Sequence, residues 1–138
     1  MLQKIQSKEI GDLQFVSISF GYGGMLEIER LTNPELGGGA MLDIGVYPLL
    51  VSDLIFKGEE PEKIAAVGHK TDQGADETVS VTLLYSSKRL CQILVSIGKG
   101  SLLTKLLGTK YIHLSMDLTT NSLPGLIFAV IIVLQGKT

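Results

Sequence analysis

Two alternating strands joined by three polar residues constrain this chain more than any other feature. In Glu77–Tyr85, Val79, Val81 and Leu83 alternate with Thr78, Ser80, Thr82 and Leu84. In Arg89–Ile97, Cys91, Ile93, Val95 and Ile97 share one side, and Ser86-Ser87-Lys88 lies between the two segments. Period-two alternation gives each strand one face for a core and one for something else. A three-residue connection makes the strands antiparallel neighbours. Such a hairpin is marginal alone, so further strands and a covering layer must be found elsewhere in the chain.

The remaining segments supply candidates. Leu13–Phe20 alternates, with Val16, Ile18 and Phe20 facing one way, and Glu62–His69 is a second strand candidate. Met1–Ile10 places Leu2, Ile5 and Ile10 as part of an amphipathic helix, stopped at Gly11-Asp12. Charges interrupt its apolar runs, so it does not read as a secretory signal. Gly21–Leu36 has no clean period and reads as a loop. Ala40–Lys57 reads as a helix ended by Gly58, apolar on nearly all sides and therefore deeply buried. Pro48 within it predicts a kink, or the place where a first turn gives way to the main helix. Beyond Gly98 the signals weaken to one strand candidate, Tyr111–Met116, and an uncharged run of nine residues, Leu126–Leu134. As a helix that run would reach only about 14 Å, against a bilayer core of ~30 Å, so no membrane span is expected there. Its Val and Ile content, preceded by Pro124-Gly125, predicts a buried strand.

The predicted class is α+β: a mainly antiparallel open-faced sheet with helices packed on one face. Residues 1–12 read as a domain junction, 13–116 as the domain itself and 117–138 as a divergent apolar segment. The hydroxyl-bearing positions Thr78, Ser80 and Thr82 leave the far sheet face neutral. A face of that kind is expected to meet another subunit or domain. Twelve basic and fourteen acidic residues give a formal charge of −2, too balanced for a nucleic-acid or anionic-membrane partner. The single cysteine, Cys91, excludes an internal disulfide, suits a reducing, cytoplasmic compartment and reads as an inert core thiol. His69 and His113 lack neighbours at ligand spacing; both read as surface residues, and no metal is expected. Asp72, Asp76 and Glu77 read as a solvated loop cluster.

The chemistry-bearing segment is Gly37-Gly-Gly-Ala-Met-Leu-Asp43-Ile-Gly45-Val-Tyr47-Pro48. On a continuous helix, Asp43 and Tyr47 project from the same side. A carboxylate and a phenol on an apolar helix need polar company, because burying them unpartnered is costly. Gly45 between them leaves the surface bare, so a ligand or another backbone can come close. Two readings stand side by side: a substrate-facing pair, or a helix-capping Asp43 with a core Tyr47.

This motif resembles the Asp-x-Gly-x-His/Tyr motif of the glucose–fructose oxidoreductase and inositol dehydrogenase family, and its Tyr form resembles the dihydrodiol dehydrogenase branch. Pro61-Glu62-Lys63-Ile64 and Thr71–Tyr85 resemble the first strands of that family's second domain, and Ile5–Phe20 the junction preceding it. The resemblance spans about residues 1–97. It implies an NAD(P)-dependent dehydrogenase, NADP-linked in this branch, acting on cyclic diols, polyols or sugars and dimerising through the open sheet. Tyr47 would assist proton transfer at the oxidised carbon, and Asp43 would orient the substrate. A phenol titrating near ~10 needs a nearby cation to act near neutrality. The family supplies it from a Glu-Lys-Pro motif that this chain lacks. Nor does Gly21-Tyr-Gly23-Gly24 or Gly98-Lys-Gly100 have the G-x-G-x-x-G spacing of a dinucleotide fold, and both read as turns. A truncated form, inactive alone or serving as a dimerisation module, is the expectation.

Overall fold

Strand pairing follows the alternation. The computed structural model describes residues 5–8 and 11–98, and the backbone of strands within 101–108, 113–117 and 131–133. In chain order these form β1 (Leu13–Gly21), α1 (Glu29–Thr32), a 3-10 turn (Pro34–Leu36), α2 (Ala40–Asp43), α3 (Val46–Phe56), β2 (Lys63–Lys70), β3 (Asp76–Tyr85), β4 (Arg89–Ser96), β5 (Ser101–Gly108), β6 (His113–Asp117) and β7 (Ile131–Val133). The described strands make one sheet in the order β2-β3-β4-β1-β5-β6-β7. Every neighbouring pair is antiparallel except β1 and β4. That parallel pair requires a crossover, and the helices after β1 begin it.

The core lies between the sheet and these helices. Val16 and Ile18 of β1, Val81, Leu83 and Tyr85 of β3, and Cys91, Ile93 and Val95 of β4 are buried against Leu31, Ala40, Ile44, Ile55 and Phe56. Each fully buried Val or Ile side chain contributes about 1.5–3 kcal/mol, so this layer fixes the strand register. The other face runs Thr82 level with Gln92 and Ser17, and Ser80 level with Leu94 and Ser19. Thr78 and Ser96 share a hydroxyl hydrogen bond of 2.8 Å there. The expected neutral, hydroxyl-bearing face is present.

Several expectations are corrected. The expected loop at 21–36 holds α1 and the 3-10 turn, with Asn33 accepting from the Glu35 amide at 3.0 Å. Segments this short carry too few turns to show a period. The expected single helix at 40–57 is two, broken at Ile44–Gly45. Pro48 is the reason. It has no N–H, so α3 begins where a proline in the first turn costs nothing, while the Tyr47 amide donates to Ile44 instead at 3.2 Å. Of Pro48's two predicted roles, marking the main helix's start is the one found. Nor is the helix buried all round: Pro48, Ser52, Ile55 and Phe56 face the sheet, whereas Leu42, Val46, Leu50 and Leu54 are exposed, Leu42 by 72%.

By length and composition Pro34–Phe56 would suffice to cross a bilayer, but its inward side chains pack on the sheet as core helices do. β5, unseen in the sequence, pairs with β1. The strand expected at 111–116 is β6, and within the expected strand 126–134 residues 131–133 form β7; the other residues of that run lie outside the described ones. Residues 5 and 6 are helical and Ile5 packs against the core; the rest of the expected opening helix, apart from the turn at 7–8, also lies outside.

Candidate functional site

Three segments meet around the Asp43–Tyr47 element. Asp43 ends α2, and its Oδ1 accepts a 2.8 Å bond from Arg30 Nη2 of α1. The Arg30 side chain is 61% exposed and that of Asp43 25%, so the pair borders solvent. Tyr47, in the first turn of α3, is 54% exposed. Its ring lies 5.3 Å from that of Phe20 at the end of β1, tilted 42°. Phe20 in turn meets Tyr22 edge-on at 5.4 Å. The two expected site residues are thus four positions apart across a helix break and engage different partners. Neither is sealed in hydrocarbon.

Gly45 has a local role. A Cβ there would approach the Met41 carbonyl oxygen to 2.5 Å, so the bare surface admits the chain's own preceding turn rather than a ligand. Gly39, with φ of 133°, performs a similar service from the other side. A Cβ on it would collide with the Asp76 carboxylate, which reaches in from β3 to accept from the Met41 amide at 2.8 Å. Asp76 therefore caps α2, and the expectation of a solvated acidic cluster is corrected. Glu77 also has a partner, His69 Nε2 at 3.5 Å, while Asp72 is exposed. The preceding loop is fastened too: Thr32 Oγ1 donates to Gln73 Oε1 at 2.7 Å, and Thr71 Oγ1 donates to the Thr32 carbonyl at 3.0 Å.

Sequence reasoning missed Arg30 and Asp76. No spacing rule links them to Asp43, because one comes from a segment read as loop and the other from the far end of a hairpin. The other expected positions fall where the pattern put them. His69 is an exposed strand residue, and Cys91 is buried, with burial pushing its thiol up and a Ser52 hydrogen bond opposing that. The side chain of His113 lies outside the described residues. Among the described residues no three of His, Cys, Asp and Glu gather as a metal would require.

A dinucleotide's phosphates need free amides at a glycine turn that opens a helix. Here Asp76 takes the Met41 amide of α2, while the glycine turn after β1 opens no helix, and its Tyr22 and Met25 amides donate to Ser96 O and Ile97 O. The described residues do not fit that group. They offer a half-exposed phenol, a paired carboxylate and two further aromatic rings.

The same fold recurs as about a third of larger oxidoreductases of known structure. An inositol dehydrogenase homolog from Azotobacter vinelandii, solved with NAD+, superposes with a TM-score of 0.72 at 14% identity, over 84% of this chain and 34% of that one. Residues 1–110 match the GFO/IDH/MocA C-terminal domain, and the chain belongs to that oxidoreductase family. Trans-1,2-dihydrobenzene-1,2-diol dehydrogenase of Xenopus laevis is 42% identical over 85 residues, which is 62% of this chain and 26% of the relative. The Danio rerio enzyme of the same name is 35% identical over 109 residues, 76% of this chain and 32% of the relative. The chain spans about a quarter to a third of the curated relatives it matches.

Proposed function

We propose that this chain is the substrate-facing half of an NAD(P)-dependent oxidoreductase acting on cyclic diols or sugars, with the nucleotide held by a separate dinucleotide-binding domain. The observation that carries it is Tyr47: a phenol left half exposed beside Phe20, four residues from a carboxylate held at the solvent border by Arg30. Tyr47 accepts the substrate hydroxyl's proton, Asp43 orients the hydroxyls, and Phe20 and Tyr22 give a ring-shaped substrate an apolar wall. A cation brought by the other domain would lie beside the Tyr47 oxygen and stabilise the phenolate that takes this proton. The sheltered thiol Cys91 suits a cytoplasmic setting. In this reading the cofactor is NADP, as the resemblance of the Asp43–Tyr47 motif implies, and turnover needs the nucleotide-binding domain as well.

The test is complementation. The chain is mixed with a dinucleotide-binding half from a relative, and NADP reduction is followed with trans-cyclohexane-1,2-diol or an aldopyranose. Turnover is expected only in the mixture and only with Tyr47 intact. A mixture in which Tyr47→Phe is as active as the unaltered chain would overturn the assignment.

A second reading rests on a different observation, the neutral open face of β3, β4 and β1 carrying Ser80, Leu94 and Ser19 in one row. In that reading the chain is a non-catalytic dimerisation module, and two copies join through this face. Sedimentation of a sharp dimer, with no diol or nucleotide binding, would favour it.

A further inference from the structure

The β2–β3 hairpin supplies neither side chain of the Asp43–Tyr47 pair, yet it fastens both segments that carry the element's polar groups. Thr71 and Gln73 bind Thr32, two residues after Arg30. Asp76 binds the amide of Met41, two residues before Asp43. Arg30 and Asp43 then close the ring between α1 and α2 at 2.8 Å. Gly38 and Gly39 give the path its closeness: a Cβ on Gly38 would come within 2.7 Å of the carbonyl oxygens of Arg30, Leu31 and Asn33.

We infer that Asp76 is a positioning residue for the Asp43–Tyr47 element, setting where α2 begins and hence where the carboxylate and the following phenol are presented. The inference rests on reading that element as the substrate-facing site. α2 has four residues, too few to hold a helical turn by its own hydrogen bonds. Its first amides have no intrahelical acceptor, and Gly39, the residue before it, brings no side chain to cap them. The acceptor comes instead from Asp76, the first residue of β3. A half-exposed ion pair such as Arg30–Asp43 adds little stability in itself, so its geometry depends on both helices being held. Asp76 holds one, and Thr71 with Gln73 holds the other.

The test uses isotope-labelled full chain carrying Asp76→Ala, Asp76→Asn, Asp76→Glu or Thr32→Val, followed by nuclear magnetic resonance. Asp76→Ala is expected to shift the Met41 and Asp43 amides and weaken the ring-to-ring contact of Phe20 with Tyr47. Core signals of Ile93 and Val95 stay in place. Affinity for trans-cyclohexane-1,2-diol falls about tenfold, the size of a lost helix cap. Asp76→Asn, whose amide oxygen still accepts, keeps affinity within about threefold by the same scale. Thr32→Val moves the Arg30 signals while leaving Met41 in place. Should Asp76→Ala fail to fold, Asp76→Glu decides the matter: its longer side chain should shift the Met41, Asp43 and Tyr47 signals together, and unmoved signals overturn the inference. Unmoved Asp43 and Tyr47 signals in Asp76→Ala overturn the inference. So does a disturbance spread evenly through the sheet, or an Asp76→Asn defect equal to that of Asp76→Ala. If the unaltered chain binds no diol while the signals move as stated, the substrate reading falls and the positioning role of Asp76 stands.

Discussion

Arg89 Nη2 touches both carboxylate oxygens of Glu59, at 2.8 and 2.6 Å, tying the loop after α3 to the first residue of β4. Ser86 Oγ adds a 2.7 Å bond to the same carboxylate, and the guanidinium lies 5.6 Å from the centre of the Phe56 ring. Hydrogen bonds from Arg89 and then Ser86 hold the Glu59 carboxyl below the usual glutamate range.

The acid limb of the stability curve should therefore report this clamp. A carboxyl lowered in the folded state contributes stability that is complete above its unfolded value, and that is lost as pH falls toward its folded value. Chemical denaturation between about pH 6 and 3 should show the unaltered chain losing more stability than Glu59→Gln over that window. Parallel curves for the two proteins would refute the clamp.

Tyr85 gives the opposite sign at the alkaline end. Burial raises its phenol, outweighing the Ser52 hydrogen bond at 3.2 Å, and its ring stacks on Phe56 at 3.8 Å. For a group raised on folding, stability is full below the unfolded value near ~10 and declines as pH climbs toward the folded one. Tyr85→Phe should cost about 0.5–1.5 kcal/mol at neutral pH through the lost hydrogen bond. It should also flatten the decline above about pH 10. An unchanged alkaline slope would show that other groups govern it.

Cys91 should resist thiol reagents. It is fully buried and its thiol is raised by burial, so labelling at about pH 8 must wait for the sheet to open. The expected rate is that of unfolding, rising with denaturant to that of a free thiol. Immediate labelling of the folded chain would mean that β4 is accessible from the helix side.

Tyr47 should separate activity from stability. Because it is 54% exposed, Tyr47→Phe is expected to change stability by no more than about 0.5 kcal/mol. In the complemented enzyme the same change should cut turnover by roughly 10²- to 10⁴-fold, the range for a lost proton acceptor. A loss of stability matching the loss of activity would assign the hydroxyl a structural role instead.

The proposed dimer face has its own test. Leu94→Glu places a charge in the middle of the open face, level with Ser80 and Ser19. Sedimentation should convert a dimer to monomers, with the melting of the core layer on the opposite face little changed. A dimer that survives the substitution lies elsewhere.

Much of the sheet was legible because period two is a local property: β3, β4 and β1 each announce an apolar face within eight to ten residues. The edge strand β2 was legible only as a candidate, since both its faces are exposed, Val67 by 74%, and no alternation marks it. α1 and the 3-10 turn went unread, being shorter than the helical pattern needed to reveal them. The break at Ile44–Gly45 was half legible, since Pro48 signalled an interruption without saying on which side it would fall.

Of the site, Asp43 and Tyr47 could be picked out because a phenol and a carboxylate stand out in an apolar segment. Their companions could not. Arg30 lies thirteen residues before Asp43, and Asp76 lies thirty-five residues beyond Met41, separations at which sequence carries no distance information.

What the sequence determined by itself was therefore the alternation that makes a one-sided sheet, the proline that restarts the helix and the glycines that allow close turns, because those follow from a few neighbouring residues and their backbone limits. Only the tertiary structure decided that β1 lies parallel to β4 and that Asp76 caps α2. It also decided that the helix keeps a bare apolar side. These depend on which distant surfaces meet, and that is settled by packing the whole layer at once.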